Sequence, residues 1–148
     1  MDTIAEIFAN RILGVAILSW FIAQLLKFII TFIQEGKIDF GKFIASGGMP
    51  SSHSSFVTAL AIGVGEVNGY DSSYFAIAAV LSFIVMYDAA NVRLQAGKQA
   101  AMINQIIKVL EDPSLDAQQR LKEILGHTPL QVAAGCILGI AIGLCAFL

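Results

Sequence analysis

Four apolar runs dominate this 148-residue chain: Ile12–Ile33, a shorter one reaching Val67 from Met49 or Phe56, Tyr74–Ala90 and Leu130–Leu148. A helix needs roughly 20 largely apolar residues to cross a bilayer. In hydrocarbon the backbone must satisfy its own hydrogen bonds, so runs of this length read as helices. Composition agrees. The chain is 57% hydrophobic and 14% charged, against roughly 25% charged for a soluble domain. The expected fold class is therefore all-α: an integral membrane helical bundle of about four spanning helices, one domain over residues 1–148. The first run is too long for a cleavable signal peptide and lacks a basic leader and a small-residue cleavage site.

The interruptions set the boundaries. Gln24 and Lys27 mark the second half of the first run, and residues 34–46 are polar and mixed. Pro50 suits the first turn of a helix, with Ser51 and Ser52 beside it as caps. Asn68-Gly69 signals a turn, and Asp71, Ser72 and Ser73 can cap the third helix. Beyond it, Ile103, Ile106, Ile107 and Leu110 recur at helical spacing among polar residues, an amphipathic segment. Asp112-Pro113-Ser114 ends that segment and opens a short charged helix that Gly126 closes. Gly135, Gly139 and Gly143 repeat every fourth residue of the last run, a stripe that admits a close helix neighbour. It reads as packing within the chain, with a homo-oligomer seam as the alternative. Cys136 and Cys145 match no metal or redox spacing and read as small apolar packing residues.

With four spans, Lys37, Lys42, Arg93, Lys98, Lys108, Arg120 and Lys122 share one side of the membrane, and Arg11 marks the other. The positive-inside rule then puts the 34–50 and 91–127 segments in the cytoplasm and both termini outside. The expected location is the plasma membrane, with the chemistry facing the cytoplasm.

That chemistry is concentrated in Gly47-Gly48-Met49-Pro50-Ser51-Ser52-His53 and His127-Thr128-Pro129. These hold the chain's two histidines, each at the threshold of an expected helix. Helix N-termini offer free amides and partial positive charge, which suits anions. Gly48, Ser51 and Ser52 add donors, and topology gathers Lys27, Asp88, Arg93 and Lys98 towards the same rim. An intramembrane lysine such as Lys27 is costly and normally partnered, or else snorkels to the headgroups. Two imidazoles and several cations make a cradle for a phosphate monoester. One neutral imidazole attacks phosphorus, and the other, protonated, serves the leaving oxygen. Arginine and lysine stabilise the equatorial oxygens. A metal site on the two histidines and Asp88 competes for the same atoms but lacks close ligand spacing. A Ser–His–Asp hydrolase lacks its strand-turn-helix elbow.

Three ordered motifs carry a resemblance. They are Gly47-Gly48-Met49-Pro50-Ser51-Ser52-His53-Ser54, Tyr87-Asp88-Ala89-Ala90-Asn91-Val92-Arg93 with Ala96-Gly97-Lys98-Gln99-Ala100, and Gly126-His127-Thr128-Pro129 with Val132 and Gly135. Together they resemble the divergent branch of the type 2 phosphatidic acid phosphatases, also described as acid phosphatase/vanadium-dependent haloperoxidase-related. The resemblance spans nearly the whole chain. It implies metal-free, cofactor-free phosphomonoester hydrolysis on lipid phosphates through a phosphohistidine, in a helical bundle. By position it makes Ser51 a phosphate-binding serine, His53 the general acid and His127 the nucleophile. Lys27 stands for the first-motif lysine and Arg93 for a phosphate-clamping arginine.

The chain also departs from that pattern. Ser52 replaces a glycine, no Arg-Pro follows Lys27, and no Ser-Arg precedes His127. Gln131 stands where the superfamily has the aspartate that orients the nucleophile, and Asp88 is the carboxylate expected to stand in. The expected function is hydrolysis of a lipid or polyprenyl phosphate, with partners limited to that substrate and the bilayer, and no nucleic acid. The alternative is a non-catalytic membrane protein that binds an anionic headgroup or a partner. Small-solute transport has little to work with in four short spans without an internal repeat.

Overall fold

The computed structural model describes residues 3–36, 48–109 and 126–148. Those residues fold as helices α1 (Thr3–Ala9), α2 (Arg11–Glu35), α3 (Ser52–Asn68), α4 (Ser73–Tyr87), α5 (Arg93–Val109) and α6 (Pro129–Phe147), with a π-helical turn at Asp88–Val92 joining α4 to α5. The fold is all-α, as the apolar runs require. Three continuous helical stretches are long and apolar enough to cross a membrane: Arg11–Gln34, Ser73–Ile107 and Pro129–Phe147. At 17 residues α3 falls short of the usual span. The loop at 37–47 and the short charged helix placed after Ser114 lie outside the described residues.

Cap chemistry sets the helix starts. Asn10 accepts from the Leu13 amide at 3.0 Å, Ser51 from Ser54 at 3.3 Å, Ser72 from Phe75 at 3.2 Å and Thr128 from Gln131 at 3.4 Å. Each hydroxyl or amide oxygen satisfies one of the amides that a helix start leaves open. Pro50 consequently sits ahead of the cap rather than in the first turn. Two elements differ from the sequence reading. The segment 3–9 is a separate, fully exposed helix. The amphipathic segment is not separate: as α5 it continues from α4 through the π turn.

The bundle is built around α3, which packs against α2, α4 and α6. Its residues explain why. Ser52, Ser54, Ser55, Thr58, Ala59, Ala61, Gly63 and Gly65 are all buried, and side chains this small let three neighbours approach its backbone. Between helices in lipid, van der Waals packing and hydrogen bonds replace the hydrophobic drive. Ser19 of α2 donates to the Ser55 carbonyl at 3.1 Å, and the two hydroxyls lie 2.6 Å apart. Ser82 of α4 donates to the Val57 carbonyl at 2.8 Å. At the far end Arg11 donates to the Ala146 carbonyl and covers the Phe147 ring.

The glycine stripe belongs to this packing. Gly135, Gly139 and Gly143 are buried. A Cβ on them would meet the Ser51 carbonyl, the Ser55 carbonyl and Ile62 of α3. The stripe is thus filled from within the chain, which corrects its alternative reading as a homo-oligomer seam. The register also shows that α3 and α6 run parallel. Their N-termini share one rim, and α2, antiparallel to both, brings Lys27 there.

Candidate functional site

Two main-chain bonds assemble the rim. The Ser51 amide donates to the Gln131 carbonyl at 3.0 Å, hooking the start of α3 onto the first turn of α6. The His127 amide donates to the Ala89 carbonyl at 2.9 Å, hooking the start of α6 onto the π turn. Widened π turns recur at functional sites, and here one presents a carbonyl to a distant segment. Gly126 makes the second hook feasible. Its φ is +87°, and a Cβ there would lie 2.5 Å from the Leu94 nitrogen and 2.8 Å from the Arg93 carbonyl carbon. Only glycine combines that backbone with that approach.

The hooks bring both imidazoles together. The ring centroids of His53 and His127 lie 6.1 Å apart, inclined at 62°. His127 is 2% exposed. Its Nδ1 faces Gln131 Oε1 at 3.3 Å, and that same oxygen accepts from the Thr128 amide at 3.0 Å. Because the amide contact identifies an oxygen, His127 Nδ1 is the protonated nitrogen and donates to it. Nε2 therefore carries the lone pair. It is buried, as is His53 Nδ1, and neither makes a hydrogen bond of ordinary geometry among the described residues, although the Gly48 backbone lies close enough to the His127 ring to favour its protonated form. Burial pushes the His127 imidazole below its usual value; the charges of Lys27 and His53 act the same way, against the opposing pull of Gln131 and the Gly48 backbone. Burial thus favours the neutral form of this ring.

Lys27 is buried rather than snorkelled. Its Nζ donates to Gln24 Oε1 at 2.7 Å, and a Cβ on Gly48 would lie 3.1 Å from its Cγ. The lysine stem thus passes under Gly48, and its charge lies within electrostatic reach of both rings. Ser51 and Ser52 are buried at the same rim. The Ser51 hydroxyl caps α3 and accepts from the Ser54 hydroxyl at 3.0 Å, leaving its own proton to donate elsewhere.

Asp88 stands elsewhere than expected. Its Oδ2 pairs with Arg93 Nε at 2.7 Å, across the π turn and partly exposed. Both charges are within range of His53, while the nitrogen of His127 that Asp88 was expected to orient is occupied by Gln131. Lys98 is exposed on α5, and no hydrogen bond or ion pair among the described residues ties it to the imidazoles. Gln131 is the residue whose position the sequence reading undervalued. Its signal was present, since Thr128-x-x-Gln131 is a capping box.

The rim falls within a stretch that matches a known family. The model of the divergent PAP2 family matches residues 8–142, which includes every element just described except α1 and the chain ends. The chain belongs to the divergent PAP2 family. In this divergent PAP2 chain the match spans both histidine motifs, so the site lies inside the family's shared region rather than in an appendage. The membrane protein YuiD of Bacillus subtilis (strain 168) is 41% identical over 133 residues, covering 82% of this chain and 84% of the relative. The relative's name and the apolar helices agree that the chain is a membrane protein. No solved structure matches it.

Proposed function

We propose that this protein hydrolyses a phosphomonoester carried by a membrane lipid or polyprenyl chain. The supporting observation is the pair of buried imidazole nitrogens, without a hydrogen-bond partner of ordinary geometry among the described residues, on rings 6.1 Å apart. A reacting group needs about 3 Å on each side, one for attack and one for proton transfer. Rings this close can both reach one phosphoryl group seated at the rim beside them.

The steps follow from the tautomer. The Nε2 lone pair of His127 attacks phosphorus. The bond from phosphorus to the lipid oxygen breaks, and that oxygen takes its electron pair and a proton from protonated His53. The phosphorylated imidazole keeps its Nδ1 proton on Gln131 Oε1. Water then attacks phosphorus and gives its proton to the now neutral His53, and the phosphorus–nitrogen bond returns its electrons to Nε2. Lys27, Ser51, Ser52 and the Gly48 backbone would bind the non-bridging oxygens, with Arg93 released from Asp88 to clamp the group and Lys98 at the edge. The basic residues near this rim favour a cytoplasmic orientation at the plasma membrane, with α3 acting as a short fourth membrane-embedded helix.

Phosphate release from a short-chain lipid phosphate by purified protein tests the reading against His127→Ala and His53→Ala. Loss in both variants is expected; equal rates in all three proteins remove the enzyme. Gln131 favours a second reading. An amide fixes the tautomer without stabilising the imidazolium, so the chain could bind an anionic headgroup without turnover. Binding of a lipid phosphate with no release would mark that case.

A further inference from the structure

Beside the imidazole pair an apolar groove of about 430 Å³ opens along the seam between α2 and α3, lined by Ile17, Trp20, His53 and Phe56. Its walls are one turn of each helix: Ile17 and Trp20 on α2, His53 and Phe56 on α3. The same α2–α3 seam carries the 2.6 Å contact between the Ser19 and Ser55 hydroxyls. Ile17 and Trp20 are 50% and 40% exposed, so its mouth faces outward, towards surrounding lipid, rather than into the bundle. The groove is polar at one end only. His53 stands there, with Lys27 ten residues beyond Ile17 on α2, about 15 Å along the helix axis.

We infer that this groove seats one hydrocarbon chain of the phosphate-bearing lipid, which reaches the site sideways from the bilayer between α2 and α3. The inference rests on the reading that phosphate binds between His53 and His127. Three features favour this occupant. His53 belongs to both the groove and the imidazole pair, so the two are continuous. The charged residues lie at one end and the apolar ones at the other, matching a molecule with an anionic head and an apolar tail. The one-turn width admits a single chain, so any second chain of the lipid stays in the bilayer. Ile17, Trp20 and Phe56 thereby become determinants of chain preference.

Trp20 is the chain's one tryptophan and therefore reports on its own groove. Purified protein in micelles would be titrated with an alkyl monophosphate brominated along its chain, with a brominated prenyl monophosphate, and with the brominated alcohol that lacks phosphate. Saturable quenching of Trp20 by a phosphate-bearing chain is expected, at least about tenfold tighter than by the alcohol. The arm that saturates first names the chain type. Ile17→Phe, which fills the groove, should weaken that quenching about tenfold. Quenching that rises linearly, or equally for the alcohol, or that Ile17→Phe leaves unchanged, overturns the seat. Phosphate release measured in the same samples separates the two failures. Release without saturable quenching removes the groove alone, and saturable quenching without release removes the hydrolase alone.

Discussion

Replacing Gly139 by alanine tests the packing on which the rim depends, without touching the chemistry. A Cβ there would lie 2.5 Å from the Ser55 carbonyl oxygen, 2.9 Å from Thr58 Cβ and 3.1 Å from the Ala59 nitrogen. Two of these are backbone atoms, which cannot rotate away, so α6 must withdraw from α3 by roughly 1 Å to regain ordinary contact. Such overpacking costs about 1–3 kcal/mol. The Ser55 carbonyl also holds the Ser19 hydroxyl of α2, and disturbing that bond adds about 1 kcal/mol. Alanine's better helix propensity returns about 1 kcal/mol. The net expectation is a loss of about 1–3 kcal/mol. Gly14→Ala is the matched control. Nothing lies within 4 Å of a Cβ there, so it should stabilise by about 0.5–1 kcal/mol. Reversible unfolding in mixed micelles would measure both. If Gly139→Ala proves as stable as Gly14→Ala, the α3–α6 contact is not the close approach described.

Four further outcomes follow. Because burial lowers the folded pKa of His127, the unfolded chain takes up a proton below about pH 6.5 that the folded chain does not. Stability should therefore be level above that pH and fall as pH drops from there towards the lowered folded value. The acid limb of phosphate release should likewise lie below about 6.5, and an acid limb above 7 would contradict the buried neutral base. Gln131→Glu keeps the capping box, which accepts either residue, while supplying a carboxylate to His127 Nδ1. Release should rise at least about tenfold, since losing such a charge elsewhere costs about 10⁴; unchanged stability with a slower rate would argue against Gln131 as the orienting group. In a background with Cys136 and Cys145 replaced by alanine, Met49→Cys should label from the cytoplasmic side and Asp71→Cys from the opposite one, and the reverse pattern would invert the orientation.

Much of this architecture was legible in the chain. Long apolar runs leave the backbone little choice, and Ser51, Ser72 and Thr128 announce helix starts by chemistry that is local to each cap. The convergence of His53 and His127 followed from topology, because helices that alternate direction return every second start to one rim. The π turn was not legible, since Asp88–Val92 carries no local signature that separates π from α. Its widening serves a contact with Gly126 and His127, more than 30 positions away. The partner of His127 was misjudged for a similar reason. Charge complementarity suggested Asp88, but Arg93 lies closer to it, and the capping box had already aimed the Gln131 oxygen at the ring. The groove at Trp20 was invisible because it belongs to neither helix alone.

Both imidazoles hang from main-chain hooks, Ser51 to Gln131 and His127 to Ala89. Apart from Gly126 and Gly135, where a side chain would collide with the partner segment, side-chain replacement leaves such hooks in place, but a change of spacing does not. Each residue inserted into a helix turns everything beyond it by about 100°. One residue added between His127 and Gly135 would swing the glycine edge away from Ser51 while every chemical group remained present. Variation in this protein should therefore tolerate exchanged letters more readily than altered intervals, and the distance between motifs carries as much instruction as the motifs themselves.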